Sequence, residues 1–224
     1  MKNKIIFLSL FLMGAVVNSF SQQIIKKDAE IDAMVKEISV DSLAQNLNKL
    51  VSFGTRATLS NQSSSTKGIG AARAWILSRF NEYAKSSNGR LSAFIDTITY
   101  NADKRRVNRP IILGNVVATL KGTDPNDKRI FVISGHLDSR RSNDMDSVGD
   151  SPGANDDGSG TVAVMECARV MSKHSFPATL IFVTVSGEEQ GLLGAYFMAN
   201  KAKKENWKIE AVLNNDIMGS NNSN

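Results

Sequence analysis

Ile130-Phe131-Val132-Ile133-Ser134 runs directly into Gly135-His136-Leu137-Asp138-Ser139, so a short, almost wholly apolar strand delivers an imidazole and a carboxylate at its C-terminal end. Unbroken apolar runs of this length belong to strands buried on both faces, which are typical of sheets sandwiched between helices. The pattern recurs downstream. Leu180 to Val185 leads into Gly187-Glu188-Glu189-Gln190-Gly191, and Ala211-Val212-Leu213 leads into Asn214-Asn215-Asp216. Helical patterns over Ser159 to Lys173 and Leu192 to Lys204 separate these strands. Alternating strands and helices predict an α/β fold: a mixed, mainly parallel sheet covered by helices on both faces. In such sheets ligands bind in the crevice beyond the carboxyl ends of the strands, where His136, Glu189 and Asp216 all fall.

Upstream, apolar residues at helical spacing predict two successive helices between Asp28 and Ser52, the second capped by Ser39 or Asp41. After the polar loop Thr58 to Thr66, a third helix is expected over Lys67 to Ala84, burying Ala71, Trp75, Ile76 and Phe80. The runs from Leu91 and over Ile111 to Leu120 predict a hairpin around Asn101 to Pro110. In the helix over Ser159 to Lys173, Val164, Cys167, Ala168 and Met171 form one stripe and Glu166, Arg169 and Lys173 another. Cys167 is therefore read as core packing, since buried thiols are usually inert.

Lys2 and Lys4 followed by the apolar run Ile5 to Val17 and a small-residue flank mark Met1 to Ser21 as a secretory signal peptide. Its apolar core is too short for a comfortable membrane span, and no later stretch is longer, so no membrane span is expected. Removing it takes two lysines from the 27 basic residues, leaving 25 against 22 acidic. That mild excess is no nucleic-acid signature, and Lys104-Arg105-Arg106 is read as a loop decoration. The single cysteine excludes an intramolecular disulfide. Export without disulfides fits a bacterial periplasmic or secreted enzyme, and about 200 mature residues fit one domain.

The chemistry centres on Pro152-Gly153-Ala154-Asn155-Asp156-Asp157-Gly158-Ser159-Gly160. Adjacent carboxylates in a tight turn repel one another, and desolvation adds to the cost, unless a cation sits between them. Asp156 is read as a metal ligand on that ground; a solvated turn with a helix cap is the plain alternative. His136, Glu189 and Asp216 each have an equally plain reading alone, as a structural histidine, a helix start and a turn cap. All of them together at strand ends point to one metal centre. Asp138, two residues from His136 on an extended segment, faces the same side and can accept the second imidazole N–H. Glu188 and Glu189 diverge as neighbours do, so one can bind metal while the other faces substrate. Imidazole and carboxylates without thiolates suit zinc, with cobalt or manganese as substitutes. A carboxylate bridging two ions, with a free glutamate as base, is a hydrolytic arrangement.

Ser134 to Ser139, Pro152 to Gly160, Gly187 to Gly191 and Asn215-Asp216, in this order and spacing, resemble the co-catalytic di-zinc aminopeptidases of peptidase family 28, which also holds carboxypeptidases and related glutaminyl cyclases. Phe53-Gly54-Thr55-Arg56 is similar to the family's leading segment. The resemblance covers roughly residues 40 to 220. It implies a zinc-peptidase fold acting on peptide substrates, with one zinc on His136 and Asp216, a second on Glu189, and Asp156 bridging. It makes Glu188 the general base and Asp138 the orienter of His136, and implies a cis bond after Asp156. The family's further histidine on the second zinc has no counterpart here, because His174, the other histidine, falls at the wrong end of a strand. Residues 22–224 are accordingly expected to be the N-terminal part of a single zinc-peptidase domain, inactive alone and incomplete at its C-terminal edge. A glutaminyl cyclase and an inactive binding domain of the same fold are the alternatives. Nothing in the sequence bears on oligomeric state.

Overall fold

The structure is a computed structural model that describes residues 28–103 and 105–219, so the expected signal peptide lies outside the described residues. Helices α1 (Ala29–Lys36) and α2 (Val40–Val51) open the chain, followed by α3 (Gly68–Ala84) and the strands β1 (Leu91–Tyr100) and β2 (Ile111–Leu120). Then come β3 (Arg129–His136), α4 (Gly160–Met171), β4 (Thr179–Val185), α5 (Leu193–Lys204) and β5 (Lys208–Asn214). Their order in the single sheet is β1-β2-β4-β3-β5.

The sheet is mixed, and its two halves have different origins. β3 pairs in parallel with both β4 and β5, which is the arrangement that helical crossovers impose. β1 and β2 form the expected hairpin, from Leu91 opposite Leu120 to Tyr100 opposite Ile111. β2 then docks antiparallel on β4, so the hairpin extends the same sheet. The parallel part is confined to the three strands that end in candidate ligands.

Side-chain alternation divides the core between two faces. Along β4, Leu180 and Phe182 point to the layer of α2, α3 and α4, where Leu50, Phe53, Ile76, Phe80, Val164 and Met165 are buried. Ile181, Val183 and Val185 point the other way, against Val117, Val132, Met198 of α5 and Trp207. Burying each large side chain contributes about 1.5–3 kcal/mol, so the α3–α4 face carries most of the stability. No helix among the described residues is long and apolar enough to cross a membrane.

Local signals account for the helix ends. Asp28 accepts from Glu30 N at 2.8 Å to cap α1, and Ser39 accepts from Ser42 N at 3.1 Å to cap α2, which settles the choice between Ser39 and Asp41. Glu166 departs from its expected polar stripe. It is buried, accepts from Ser39 N at 2.7 Å and pairs with Arg169, because the α1–α2 junction packs over that side of α4. Cys167 is half-buried against the same core, and burial, followed by the charge of Glu166, raises its thiol pKa. His174 lies beyond the C-terminal end of α4, where its Nε2 is 3.0 Å from Glu37 Oε1. The site lies at the opposite end of this 12-residue helix, about 18 Å away at the usual rise per residue.

Candidate metal centre

The three parallel strand ends and the turn before α4 converge on the His136 ring. Its Nε2 is 3.1 Å from Asp156 Oδ1 and 3.8 Å from Asp216 Oδ1. Its Nδ1 is 3.1 Å from the main-chain oxygen of Asp138 and 3.7 Å from that residue's Oδ1. The nearer acceptor is thus the carbonyl, so Asp138 orients the imidazole through its backbone first. Either way Nδ1 is engaged on one side, and Nε2 is left facing carboxylates. Burial disfavours the charged imidazole, but the hydrogen bond and charge of Asp138, with Asp157 and Glu188, outweigh it and push the His136 pKa up to about 10.

Asp138 has a second job that sequence spacing does not reveal. Its fully buried carboxylate accepts from Thr58 Oγ1 at 2.9 Å and from the backbone N–H groups of Glu188 and Glu189, each at 3.2 Å. The end of β3 therefore holds the Gly187–Gly191 loop in place by way of one side chain. Gly187 and Gly191, both at positive φ, let that loop turn sharply out of β4. Burial first, then the charges of Asp138, Asp216 and Asp156 over the opposing His136, raises the Glu188 pKa. Glu189 is pushed up to about 7 by burial and by the charges of Asp156 and Asp138, while Arg140, with its Nε 3.1 Å from Glu189 Oε2, works against the rise.

The Ala154–Ser159 turn presents its two carboxylates in different ways, and the bond joining Asp156 to Asp157 is cis, as the family resemblance implied. Asp157 is fully buried. Its Oδ2 accepts from His136 N at 2.9 Å, and its Oδ1 from Gly160 N at 2.9 Å and Ile217 N at 3.3 Å, which ties β3, α4 and the segment after β5 together. Burial, only partly offset by the backbone bond and charge of His136, raises its pKa to about 6. Asp156 is half-exposed and turned to His136 Nε2. Gly160 is required for this closeness: a Cβ there would lie 2.3 Å from Asn215 O and 2.4 Å from Asp157 Oδ1. Asn215 bonds to Ser134 O through both its backbone N–H (2.8 Å) and its side-chain amide (3.0 Å), which sets the start of the Asp216 segment.

One group among the described residues has three metal-binding side chains with ligand atoms within 4.8 Å of one another: His136, Asp157 and Asp216. Asp157 was not among the ligands expected from the sequence, and the expected Asp156 adjoins the same imidazole. Glu189 approaches the cluster with its carboxylate paired to Arg140. Arg56 was missed as a functional residue. It is fully buried, and its Nε donates to Leu137 O at 2.7 Å while Nη1 and Nη2 donate to Pro152 O and Gly153 O. Burial lowers its pKa to about 10 against the charges of Asp138, Asp157 and Asp156. An arginine next to a Gly-Thr turn carries no signal in sequence that it will enter the core.

A half-parallel sheet with carboxylates gathered around one imidazole at its strand ends defines an α/β domain with a candidate metal centre. The family model for Peptidase family M28 matches residues 115–224. A "Probable zinc metalloprotease" of Leptosphaeria maculans is 46% identical over 193 residues, covering 86% of this chain and 44% of that protein. A "Probable zinc metalloprotease" of Pyrenophora teres f. teres is 44% identical over 194 residues, covering 86% and 40%. Among solved structures, the LapA aminopeptidase of Legionella pneumophila superposes with a TM-score of 0.64 at 25% identity, over 86% of this chain and 48% of that one. The glutaminyl cyclase of Porphyromonas gingivalis shares the fold, with a TM-score of 0.63 at 18% identity over 80% and 61%. The chain belongs to peptidase family M28. It spans less than half the length of these curated relatives. Those relatives are fungal, which does not support the bacterial, periplasmic setting expected from the export signal.

Proposed function

We propose that the protein is a secreted zinc metallopeptidase that removes N-terminal residues from peptides. The observation that carries this reading is the His136 ring: one nitrogen is engaged by Asp138 and the other faces Asp156 and Asp216. A neutral imidazole and several carboxylates with no thiolate form a donor set that fits zinc. The arrangement answers the usual demand that an outer partner fix the tautomer of a metal-bound histidine. His136 and Asp216 would hold one ion, Glu189 a second, and Asp156 would be shared. Asp156 is preferred to Asp157 because both oxygens of Asp157 already accept backbone N–H groups.

Bound there, zinc would polarise the scissile carbonyl and make a water acidic enough to lose its proton near neutral pH. The chain's own contribution falls to Glu188. Its raised pKa suits a carboxylate that takes the proton of the attacking water and delivers it to the leaving amine. Asp138 positions that base through the Glu188 N–H, and keeps His136 oriented through its carbonyl. Acidic groups near the metals would receive the free amino terminus of the peptide.

The test is zinc-dependent release of the N-terminal residue from aminoacyl anilides by the whole protein, abolished by a chelator and restored by zinc. Cyclisation of glutaminyl peptides in place of hydrolysis would refute the peptidase reading. Absence of bound zinc would leave only a binding domain of this fold.

A further inference from the structure

Arg140 follows immediately on the Gly135–Ser139 segment, and its Nε lies 3.1 Å from Glu189 Oε2. The arginine side chain is 42% exposed and that of the glutamate only 11%. The rest of the Glu189 loop is held independently of this pair. Arg106 Nη1 donates to Glu189 O at 2.9 Å while its Nε is 3.3 Å from Asp144 Oδ2, and Gln190 Nε2 donates to Asp144 O at 3.1 Å. The ion pair is therefore not needed to anchor the loop, and its guanidinium has open solvent to move into. A guanidinium N–H and a divalent cation compete for the same carboxylate lone pairs, and their charges repel.

Resting on the metallopeptidase reading, we propose that Arg140 is an exchangeable placeholder for the second cation. In the metal-free protein it neutralises Glu189 and holds its carboxylate in the crevice, where Asp156 and Asp138 would otherwise repel it. Among the described residues no guanidinium pairs with Asp216, so the His136–Asp216 ion has only the imidazole proton to displace and binds first. The Glu189 ion binds only as Arg140 swings out to solvent, so filling of the two positions is ordered.

The experiment is calorimetric titration of the metal-free chain with zinc alone at pH 8.5, comparing wild type, Arg140→Gln and Arg140→Gln/Glu189→Gln. The expected result is two binding events in wild type. In Arg140→Gln the weaker should tighten by about tenfold, the order of a solvent-screened interaction between a unit charge and a divalent ion. The stronger event should stay within about twofold, and the double variant should lose the gain. Unchanged or weakened second-ion binding in Arg140→Gln overturns the proposal, as does a gain that persists without Glu189. A single event common to wild type and Arg140→Gln also overturns it while leaving the metal centre standing. If neither protein binds zinc, the metallopeptidase reading itself fails and the placeholder falls with it.

Discussion

Replacing Arg56 by methionine tests whether the metal-ligand turn is held by a buried cation. Methionine keeps the stem and most of the volume, so a cavity contributes little. What is lost is a guanidinium at 0% exposure that donates to Leu137 O, Pro152 O and Gly153 O. Gly153 O keeps Gly158 N at 2.9 Å, but the buried Leu137 O and the part-buried Pro152 O lose their donor, at about 1–3 kcal/mol each. Against this, the variant no longer buries a charge, a penalty of several kcal/mol per ion. Asp138 and Asp157, whose buried charges face Arg56, also lose their counter-charge, so the net expectation is about 3–5 kcal/mol of destabilisation, the range found when removal of one partner leaves a buried charge uncompensated. With its pKa lowered only to about 10, Arg56 remains charged at pH 7, so the full effect is present there. Urea unfolding at pH 7 in the presence of a chelator measures it. At a slope of about 2 kcal/mol per M, the midpoint should fall by roughly 2 M. Arg56→Lys, which keeps the charge without the planar fork, should fall in between. A midpoint within about 0.3 M of wild type in Arg56→Met would refute the idea that this side chain holds the turn.

Glu188→Gln should lower turnover of aminoacyl anilides by about 10²–10⁴-fold, the usual worth of a general base, with calorimetric zinc affinity within a few-fold. A variant that keeps its rate removes Glu188 from the chemistry. His136→Ala should weaken the tighter zinc by more than about 100-fold, beyond the loss typical of an outer partner alone. Zinc must displace a proton from an imidazole titrating at about 10, so affinity should rise about tenfold per pH unit from pH 7 to 9. At the second position affinity should fall as pH drops through about 7, where the Glu189 carboxyl takes up a proton. Affinity independent of pH would contradict that balance. Gly160→Ala drives a Cβ to 2.3 Å from Asn215 O, so about 1–3 kcal/mol of stability should go, together with tight zinc binding. Full zinc affinity in that variant would show that the Asp216 segment is free to move.

Elements governed by local periodicity were legible in advance. The third helix, expected over Lys67 to Ala84, spans Gly68–Ala84, and the hairpin strands begin at Leu91 and Ile111. The convergence at the strand ends followed from topology, since parallel strands joined by helices all point their carboxyl ends to one rim. Partnerships across long separations could not be read. Arg56 enters the core for carbonyls 81 to 97 residues away, none of which leaves a mark in composition. Glu166 looks like surface on a helical wheel and is buried by Ser39 N, 127 residues distant. The Arg140–Glu189 pair joins loops that only the β3–β4 pairing brings together.

The two acids of Asn155-Asp156-Asp157-Gly158 show how far residue type alone carries an assignment. Sequence reasoning names Asp156 as the ligand and gives Asp157 no role, yet both lie around His136. Their backbone surroundings separate them. Asp157 spends both oxygens on N–H groups of β3, α4 and the segment beyond β5, which offset part of the cost of burying its charge. Asp156 faces Nε2 with 54% of its side chain exposed and has solvent on one side of it. A cation arriving from the crevice meets an uncommitted carboxylate in Asp156 and a committed one in Asp157. Gly160 N–H also has Asp157 O, but withdrawing the Asp157 carboxylate to bind metal would orphan the N–H groups of His136 and Ile217, at about 1–3 kcal/mol where buried. The turn thus assigns its acids by hydrogen-bond commitment: one builds the floor of the site, and its neighbour is left to take the ion.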